Sequence, residues 1–294
     1  MRAIVIGGSG FIGSHLCRRL LRDDWHVVCM SHSIERTERV RDLRDHPLFV
    51  LTQGDVTTRY ILHADVIFNA SGQGSPRHYR EDPIGTLRTN VLGALSIMES
   101  VERSGARLVQ LSSIRANETD HLGVNGGYIE GKRCAETVIA SYNATRGTHG
   151  TIVRLGNTYG PGMATDDSKV LPHFVMRAVR GEELKILGGG QQVDSFCHVS
   201  DVVDALTKLA TTDVQSPINL GSPTPISILE LARLIVDVTG SGSTVTFDET
   251  DTTPRRNGLP DYSPIMDSID WRPEVGLREG IAATAAHYRV ALGV

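Results

Sequence analysis

The chain opens on a short β-branched run, Ala3-Ile4-Val5-Ile6, that passes directly into Gly7-Gly8-Ser9-Gly10-Phe11-Ile12-Gly13. Such a run suits a buried parallel strand. Ile12, Leu16 and Leu20 then recur on one face of a helix that Phe11 and Ile12 begin. Strand, glycine turn and helix in that order let the backbone approach a pyrophosphate, with the anion on the N–H groups that open the helix. A tight turn that binds nothing has the same local pattern, so the rest of the chain must decide. The expected class is α/β, a doubly wound parallel sheet (Rossmann) with a smaller C-terminal lobe.

Strands and helices alternate to about residue 160. After the first strand, the expected strands are His26 to Met30, Leu48 to Leu51, Val66 to Asn69, Arg107 to Leu111 and Thr151 to Leu155. Residues 1–160 therefore read as a dinucleotide-binding domain. Beyond them the chain grows richer in glycine and proline, as in Gly160-Pro161-Gly162 and Gly188-Gly189-Gly190. Residues 161–294 read mainly as a substrate-binding lobe, with a strand near 217–221 returning to the main sheet. One helix is well signed, with Asp82 to cap it, Pro83 in its first turn and Gly105 past its end. Ile84, Leu87, Val91, Leu95 and Met98 form its expected core stripe. Leu92 and Ile97 leave a second apolar face, which suits packing on another subunit, so a homodimer is expected.

Composition narrows the function classes. At 294 residues the chain can bury a large core. The net charge of −4, with Lys and Arg scattered, excludes a nucleic-acid footprint. No apolar run approaches a membrane span, and the N-terminus begins a strand instead of a signal peptide. Cys17, Cys29, Cys134 and Cys197 have no metal spacing and read as reduced thiols. The expectation is a cytoplasmic enzyme without a bound metal.

Chemistry gathers at Tyr128 and Lys132, one helical turn apart and downstream of a strand ending in Leu111-Ser112-Ser113. Tyrosine, with an ordinary pKa of about 10, is a poor base at neutral pH. A neighbouring ammonium and a cationic nicotinamide ring favour the phenolate, and a drop of about three units amounts to roughly 4 kcal/mol. Such a tyrosine can take a hydroxyl proton while the carbon's hydride leaves, with Ser113 holding the same oxygen.

The chain resembles the extended short-chain dehydrogenase/reductases (the NAD-dependent epimerase/dehydratase family) that act on nucleotide sugars, and among them the UDP-glucuronate decarboxylases. The likeness rests on Ser75-Pro-Arg-His-Tyr79 with Asp82-Pro83, Thr89-Asn90-Val91-Leu92-Gly93-Ala94, and Tyr128-x-Glu130-Gly131-Lys132-Arg133. Asn157-Thr158-Tyr159-Gly160-Pro161, Pro217-x-Asn219-Leu220-Gly221 and Trp271-Arg-Pro273 extend it along the chain. The resemblance implies that Tyr128 is the proton-transfer base, Lys132 its partner and a cofactor ribose contact, and Ser113 the orienting hydroxyl. It places Gly7, Gly10 and Gly13 at the pyrophosphate, Asp55 and Val56 at the adenine, and Asn69, Ala70 and Ser71 along the cofactor. Ser75, Arg115, Asn157 and an arginine of the Arg255-Arg256 pair would approach the substrate.

The departures from the family pattern carry information of their own. Arg115 stands where the decarboxylases and the 4,6-dehydratases carry an acid-base glutamate. Asp194 stands where a nucleotide-facing arginine is usual, and Gly162 replaces another arginine. A cation cannot act as that base, and an Asp facing a diphosphate adds repulsion. The sequence therefore favours a nucleotide-sugar enzyme acting through transient C4 oxidation on a UDP-glucuronate-like substrate. It leaves open whether the outcome is epimerisation, decarboxylation or elimination. A net NAD(P)H-dependent oxidoreductase and a non-catalytic dinucleotide sensor are the alternatives. Cofactor choice is also divided. Ser31 follows the second strand, at the position where NAD enzymes place an acid, and Ser31, Ser33, Arg36 and Arg39 could serve a 2′-phosphate. The family pattern favours NAD, with NADP close behind.

Overall fold

The computed structural model describes residues 1–35, 37–118, 122–123, 125–214, 217–248, 250 and 258–294. In chain order it begins β1 (Arg2–Ile6), α1 (Phe11–Arg22), β2 (His26–Ser31), β3 (Phe49–Gln53) and β4 (Val66–Asn69). There follow α2 (Pro76–Glu81), α3 (Pro83–Ser104), β5 (Arg107–Ser113), α4 (Gly126–Arg146) and β6 (His149–Leu155). The later elements are β7 (Asn157–Tyr159), α5 (Val170–Val179), β8 (Leu184–Leu187), β9 (Val193–Asp194), β10 (Phe196–His198), α6 (Val199–Leu209) and β11 (Ile218–Leu220). The chain ends with β12 (Ile226–Ser227), α7 (Ile228–Thr239), β13 (Val245–Asp248), α8 (Ser263–Ser268) and α9 (Leu277–Leu292).

Two compact units result. The first comprises Met1–Leu155, Val203–Leu220 and Pro264–Trp271, and the second Gly156–Val202, Gly221–Ser263 and Arg272–Val294. The first unit thus takes in more of the chain beyond residue 160 than a single returning strand. Its sheet has seven strands in the order β11-β6-β5-β4-β1-β2-β3, and all pairs are parallel. The order reverses between β1 and β4, the point where open α/β sheets leave a crevice at the carboxyl ends of their strands. The inner strands β1, β4 and β5 are buried along nearly their whole length, as in a parallel sheet covered on both faces. β4 is buried throughout, and Ile4, Ile67, Leu108 and Ile152 pack in one core with Ile97, Met98 and Val101 of α3 and Ile139 of α4.

The caps of α3 are those expected: Asp82 accepts from Gly85 N at 2.8 Å, Pro83 opens the helix, and Gly105 closes it at φ 71°. Its buried face is different. Thr86, Asn90, Gly93, Ala94, Ile97, Met98 and Val101 face inward, while Ile84 is 72% exposed and Leu87, Leu92 and Leu95 are 37–41% exposed. Of the expected core stripe, Met98 is buried while Ile84, Leu87 and Leu95 turn outward, and Ile97, expected with Leu92 on a second apolar face, is buried in the core. Small and polar residues win the inner face because α3 runs close against its neighbours. A Cβ on Gly93 would sit 3.1 Å from Val56, and one on Gly131 of α4 would sit 3.1 Å from Asn90.

In the second unit β7 pairs with β10 and β8 with β13, both parallel, and β9 pairs antiparallel with β12. The capping box of Ser227 and Glu230 starts α7. All four cysteines are free thiols. Among the described residues no helix is long and apolar enough to cross a membrane, and no group of His, Cys, Asp and Glu could hold a metal ion.

Candidate active site

Five strand ends of the first unit build the site. β1 runs into Gly7, whose φ of +75° only glycine adopts readily. A Cβ there would stand 2.7 Å from Ala70 O, just past the end of β4. One on Gly13 would overlap Gly7 O. The turn is thus drawn tight against the neighbouring strand at the sheet's reversal point. Gly10 precedes α1 with no side-chain cap, and the first turn carries no acid. The N–H groups of Phe11, Ile12 and Gly13 remain for an anion. This backbone cradle fits a dinucleotide pyrophosphate.

Around the cradle, the loop after β4 is fixed by Asn69. Its Oδ1 accepts from Ser71 N at 3.1 Å and Ser71 Oγ at 2.6 Å, and its Nδ2 donates to Gln110 at 2.8 Å. Asp55, after β3, accepts from Thr57 N at 2.9 Å and from the Thr57 hydroxyl at 2.8 Å, and these bonds hold its carboxyl below the usual range. Val56 beside it is buried. Ser31 ends β2 with its hydroxyl committed: it donates to Ser33 O at 2.8 Å and lies 2.7 Å from Ser9 Oγ. That weakens Ser31 as a donor to a 2′-phosphate. Arg36 lies outside the described residues, and the Arg39 carbonyl accepts from Arg18 at 2.6 Å.

Ser113, Tyr128 and Lys132 come together at the end of β5. All three are buried. Ser113 favours the Tyr128 phenolate, and Ser113 Oγ accepts from Arg115 N at 3.2 Å. Lys132 Nζ donates to Leu111 O at 3.0 Å and lies close to Gly72, just beyond the Asn69 loop, where a Cβ would be 3.7 Å away. Burial lowers its pKa to about 8. Burial also pushes the Tyr128 phenol above its ordinary value, against the lowering from Ser113. The i to i+4 spacing does set both residues on one helix face, but the ammonium turns to the Leu111 carbonyl.

Arg115 is engaged within the chain. Its guanidinium is engaged twice by Glu118, at 2.7 and 2.8 Å, and donates to the Tyr79 hydroxyl. The Tyr79 ring stacks on that of Tyr128, centroids 4.6 Å apart. Ser75 precedes α2, and its buried Oγ has no hydrogen-bond partner. Asn90 was not singled out from the sequence, yet it lies buried with Oδ1 about as near to Gly72 as Lys132. Its signals are its place in the Thr89-Asn90-Val91-Leu92-Gly93-Ala94 segment and its polarity amid the small residues of α3. Glu136 was also missed. It is buried, accepts from Ser112 at 2.6 Å and from Arg154 at 2.9 Å, and so ties α4 to β5 and β6.

In the second unit Asn157 donates to Asp194 at 2.8 Å and to Ser195 O at 3.1 Å. Asp194 therefore orients Asn157. A cavity of about 600 Å³ opens among Val170, Phe174, Lys185, Leu187, Gln192 and Ile228, a size suited to a small molecule. Arg255 and Arg256 lie outside the described residues.

The sheet order, the glycine turn at its reversal point and the Ser113-Tyr128-Lys132 cluster define a Rossmann-fold protein of the short-chain dehydrogenase/reductase type. Residues 3–221 match the NAD dependent epimerase/dehydratase family. UDP-glucuronic acid decarboxylase 5 of Arabidopsis thaliana is 33% identical across all of this chain and 91% of its own length. UDP-glucuronic acid decarboxylase 1 of Xenopus tropicalis is 34% identical over 98% of this chain and 72% of its own. Two solved structures share the fold. UDP-glucose 4-epimerase from Thermotoga maritima superposes with a TM-score of 0.86 at 23% identity, covering 99% of this chain and 100% of that one. UDP-glucuronic acid 4-epimerase from Bacillus cereus, in complex with UDP-glucuronic acid and NAD, gives 0.87 at 20% identity with the same coverage. The chain belongs to the NAD dependent epimerase/dehydratase family.

Proposed function

We propose that the chain modifies a nucleotide sugar through transient oxidation at C4, with a UDP-linked hexuronic acid as the favoured substrate. The observation that carries this reading is the buried Ser113-Tyr128-Lys132 cluster, set at the strand ends beside the glycine cradle. The UDP-glucuronic acid decarboxylase relatives support the substrate class. Bound NAD supplies the hydride acceptor. Gly7, Gly10, Phe11, Ile12 and Gly13 hold its pyrophosphate, Asp55 and Val56 its adenine, and Asn69, Ala70 and Ser71 line it. Lys132 holds the ribose, its ammonium within reach of the loop at Gly72. Committed Ser31 favours NAD over NADP.

Tyr128 takes the proton from the C4 hydroxyl, and Ser113 holds that oxygen by a hydrogen bond. Tyr128 returns the proton when the ketone is reduced. Ser75, whose hydroxyl is unpaired, and Asn157 contact the substrate, joined by an arginine of the Arg255-Arg256 pair. With no carboxylate at position 115, the site needs only hydride and proton exchange at C4, which is enough for epimerisation. A β-keto acid formed from a uronic acid can also lose carbon dioxide with little help. The exposed Ile84, Leu87 and Leu95 of α3 support a homodimer formed by this helix.

Incubation with a panel of nucleotide sugars, read by mass spectrometry and NMR, tests the reading. Loss of carbon dioxide, loss of water or an inverted C4 at unchanged mass each supports it and names the outcome. Tyr128→Phe should lower the rate by about 10²–10⁴-fold while NAD affinity stays within a few-fold. A panel left wholly unchanged, or a Tyr128→Phe variant keeping most of the rate, would overturn it.

A further inference from the structure

Lys132 lies one turn along α4 from Tyr128. Its Nζ donates to Leu111 O and lies by Gly72 and Asn90. The cation in contact with the tyrosine's own partners is Arg115, which reaches Tyr128 by two routes. Its backbone N–H donates to Ser113 Oγ at 3.2 Å. An Oγ that accepts there has its proton left for the phenol oxygen, the sense in which Ser113 favours the phenolate. Its guanidinium donates to the Tyr79 hydroxyl, with Cζ 6.0 Å from that ring's centre, and the Tyr79 ring stacks on Tyr128 at 4.6 Å and 18°. Both rings are buried, so little water screens the charge.

We propose that Arg115 is a positioning residue for Tyr128: through Tyr79 and Ser113 it fixes the reacting phenol, and it adds positive charge on the face of Tyr128 that Tyr79 covers. This rests on the reading of Tyr128 as the proton-transfer group and deepens it. Among the described residues, the groups around Tyr128 are Lys132 one turn on along α4, Tyr79 from α2, Ser113 at the end of β5, and Arg115 and Glu118 in the turn that follows. Tyr79 and Glu118 oppose the phenolate, Ser113 and Arg115 favour it, and burial opposes it most. Glu118 restrains Arg115 twice over, holding the fork against Tyr79 while offsetting part of its charge. The cation at 115 thus does for Tyr128 what a carboxylate there could not. A carboxylate would oppose the phenolate.

Carbon NMR of the ring-labelled tyrosines across a pH series tests this without any substrate, with Tyr128→Phe used to assign the resonance. Arg115→Gln should raise the Tyr128 midpoint by about one unit or more, Arg115→Lys by less, and Glu118→Gln should lower it. In turnover, Arg115→Gln should reduce kcat at neutral pH about tenfold and move its pH profile alkaline, with KM for the sugar little changed. An unshifted Tyr128 midpoint in folded Arg115→Gln, or a raised one in Glu118→Gln, would overturn the proposal. So would a loss confined to KM, which marks a substrate grip. Glu118→Gln decides alone if Arg115→Gln fails to fold. If the midpoints move as expected while no nucleotide sugar is turned over, the proposed function fails and the role of Arg115 stands.

Discussion

Lys132 shows how a functional side chain can work against stability. Its pKa is lowered to about 8 from an ordinary 10.5, because burial disfavours the charged form. Between those values the unfolded chain binds a proton that the folded chain has released, so stability rises with pH through that window. At neutral pH the full penalty is present, on the order of 3 kcal/mol. Lys132→Met should therefore abolish turnover yet stabilise the fold at neutral pH by about 1–3 kcal/mol. The gain should shrink as the pH approaches about 10. Urea unfolding at both pH values checks this, and a destabilised variant at neutral pH would contradict it. Much at this scale was legible in sequence, since the Tyr128 to Lys132 spacing and the end of β5 at Ser113 are local signals. The Tyr79 to Arg115 contact was not, because no spacing rule links residues 36 positions apart. The direction taken by the Lys132 ammonium was equally hidden, being set by the Leu111 carbonyl.

Two helices carry the tests at the scale of elements. Glu136 of α4 is buried, and Arg154 of β6 holds it by two hydrogen bonds while Ser112 donates a third. Arg154→Met would leave that carboxylate unpaired and should cost about 3–5 kcal/mol. Glu136→Met combined with Arg154→Met should recover most of the loss, since the pair's desolvation disappears with it. Chemical denaturation of the three variants closes the cycle. For α3, Ile84→Glu with Leu87→Glu should yield a monomer in sedimentation, with monomer stability changed by no more than about 0.5 kcal/mol. A dimer that survives both charges would place the interface elsewhere. The strands were well marked: Val66–Asn69 begins and ends as its apolar run suggests. The inner face of α3 does not follow its apolar residues, because its leucines lie on the outward side. Gly93 and Ala94 win the core side by permitting close approach, which hydrophobicity does not encode.

At the scale of the whole molecule, the seven-stranded parallel sheet and its reversal beside Gly7 and Ala70 follow from the alternation of strands and helices in the first half of the chain. The second unit was less legible. Its short strands, such as β9 and β12 of two residues each, are set by pairing between distant segments and leave no periodic trace. The account's central claim is that a hydride leaves C4 and comes back to the same sugar. A nucleotide sugar deuterated at C4 tests it most directly, with both product and nicotinamide analysed after many turnovers. The account predicts that the deuterium stays in the sugar product and that no reduced nicotinamide accumulates. Deuterium on released nicotinamide, one per product formed, would contradict it and make the chain a net oxidoreductase.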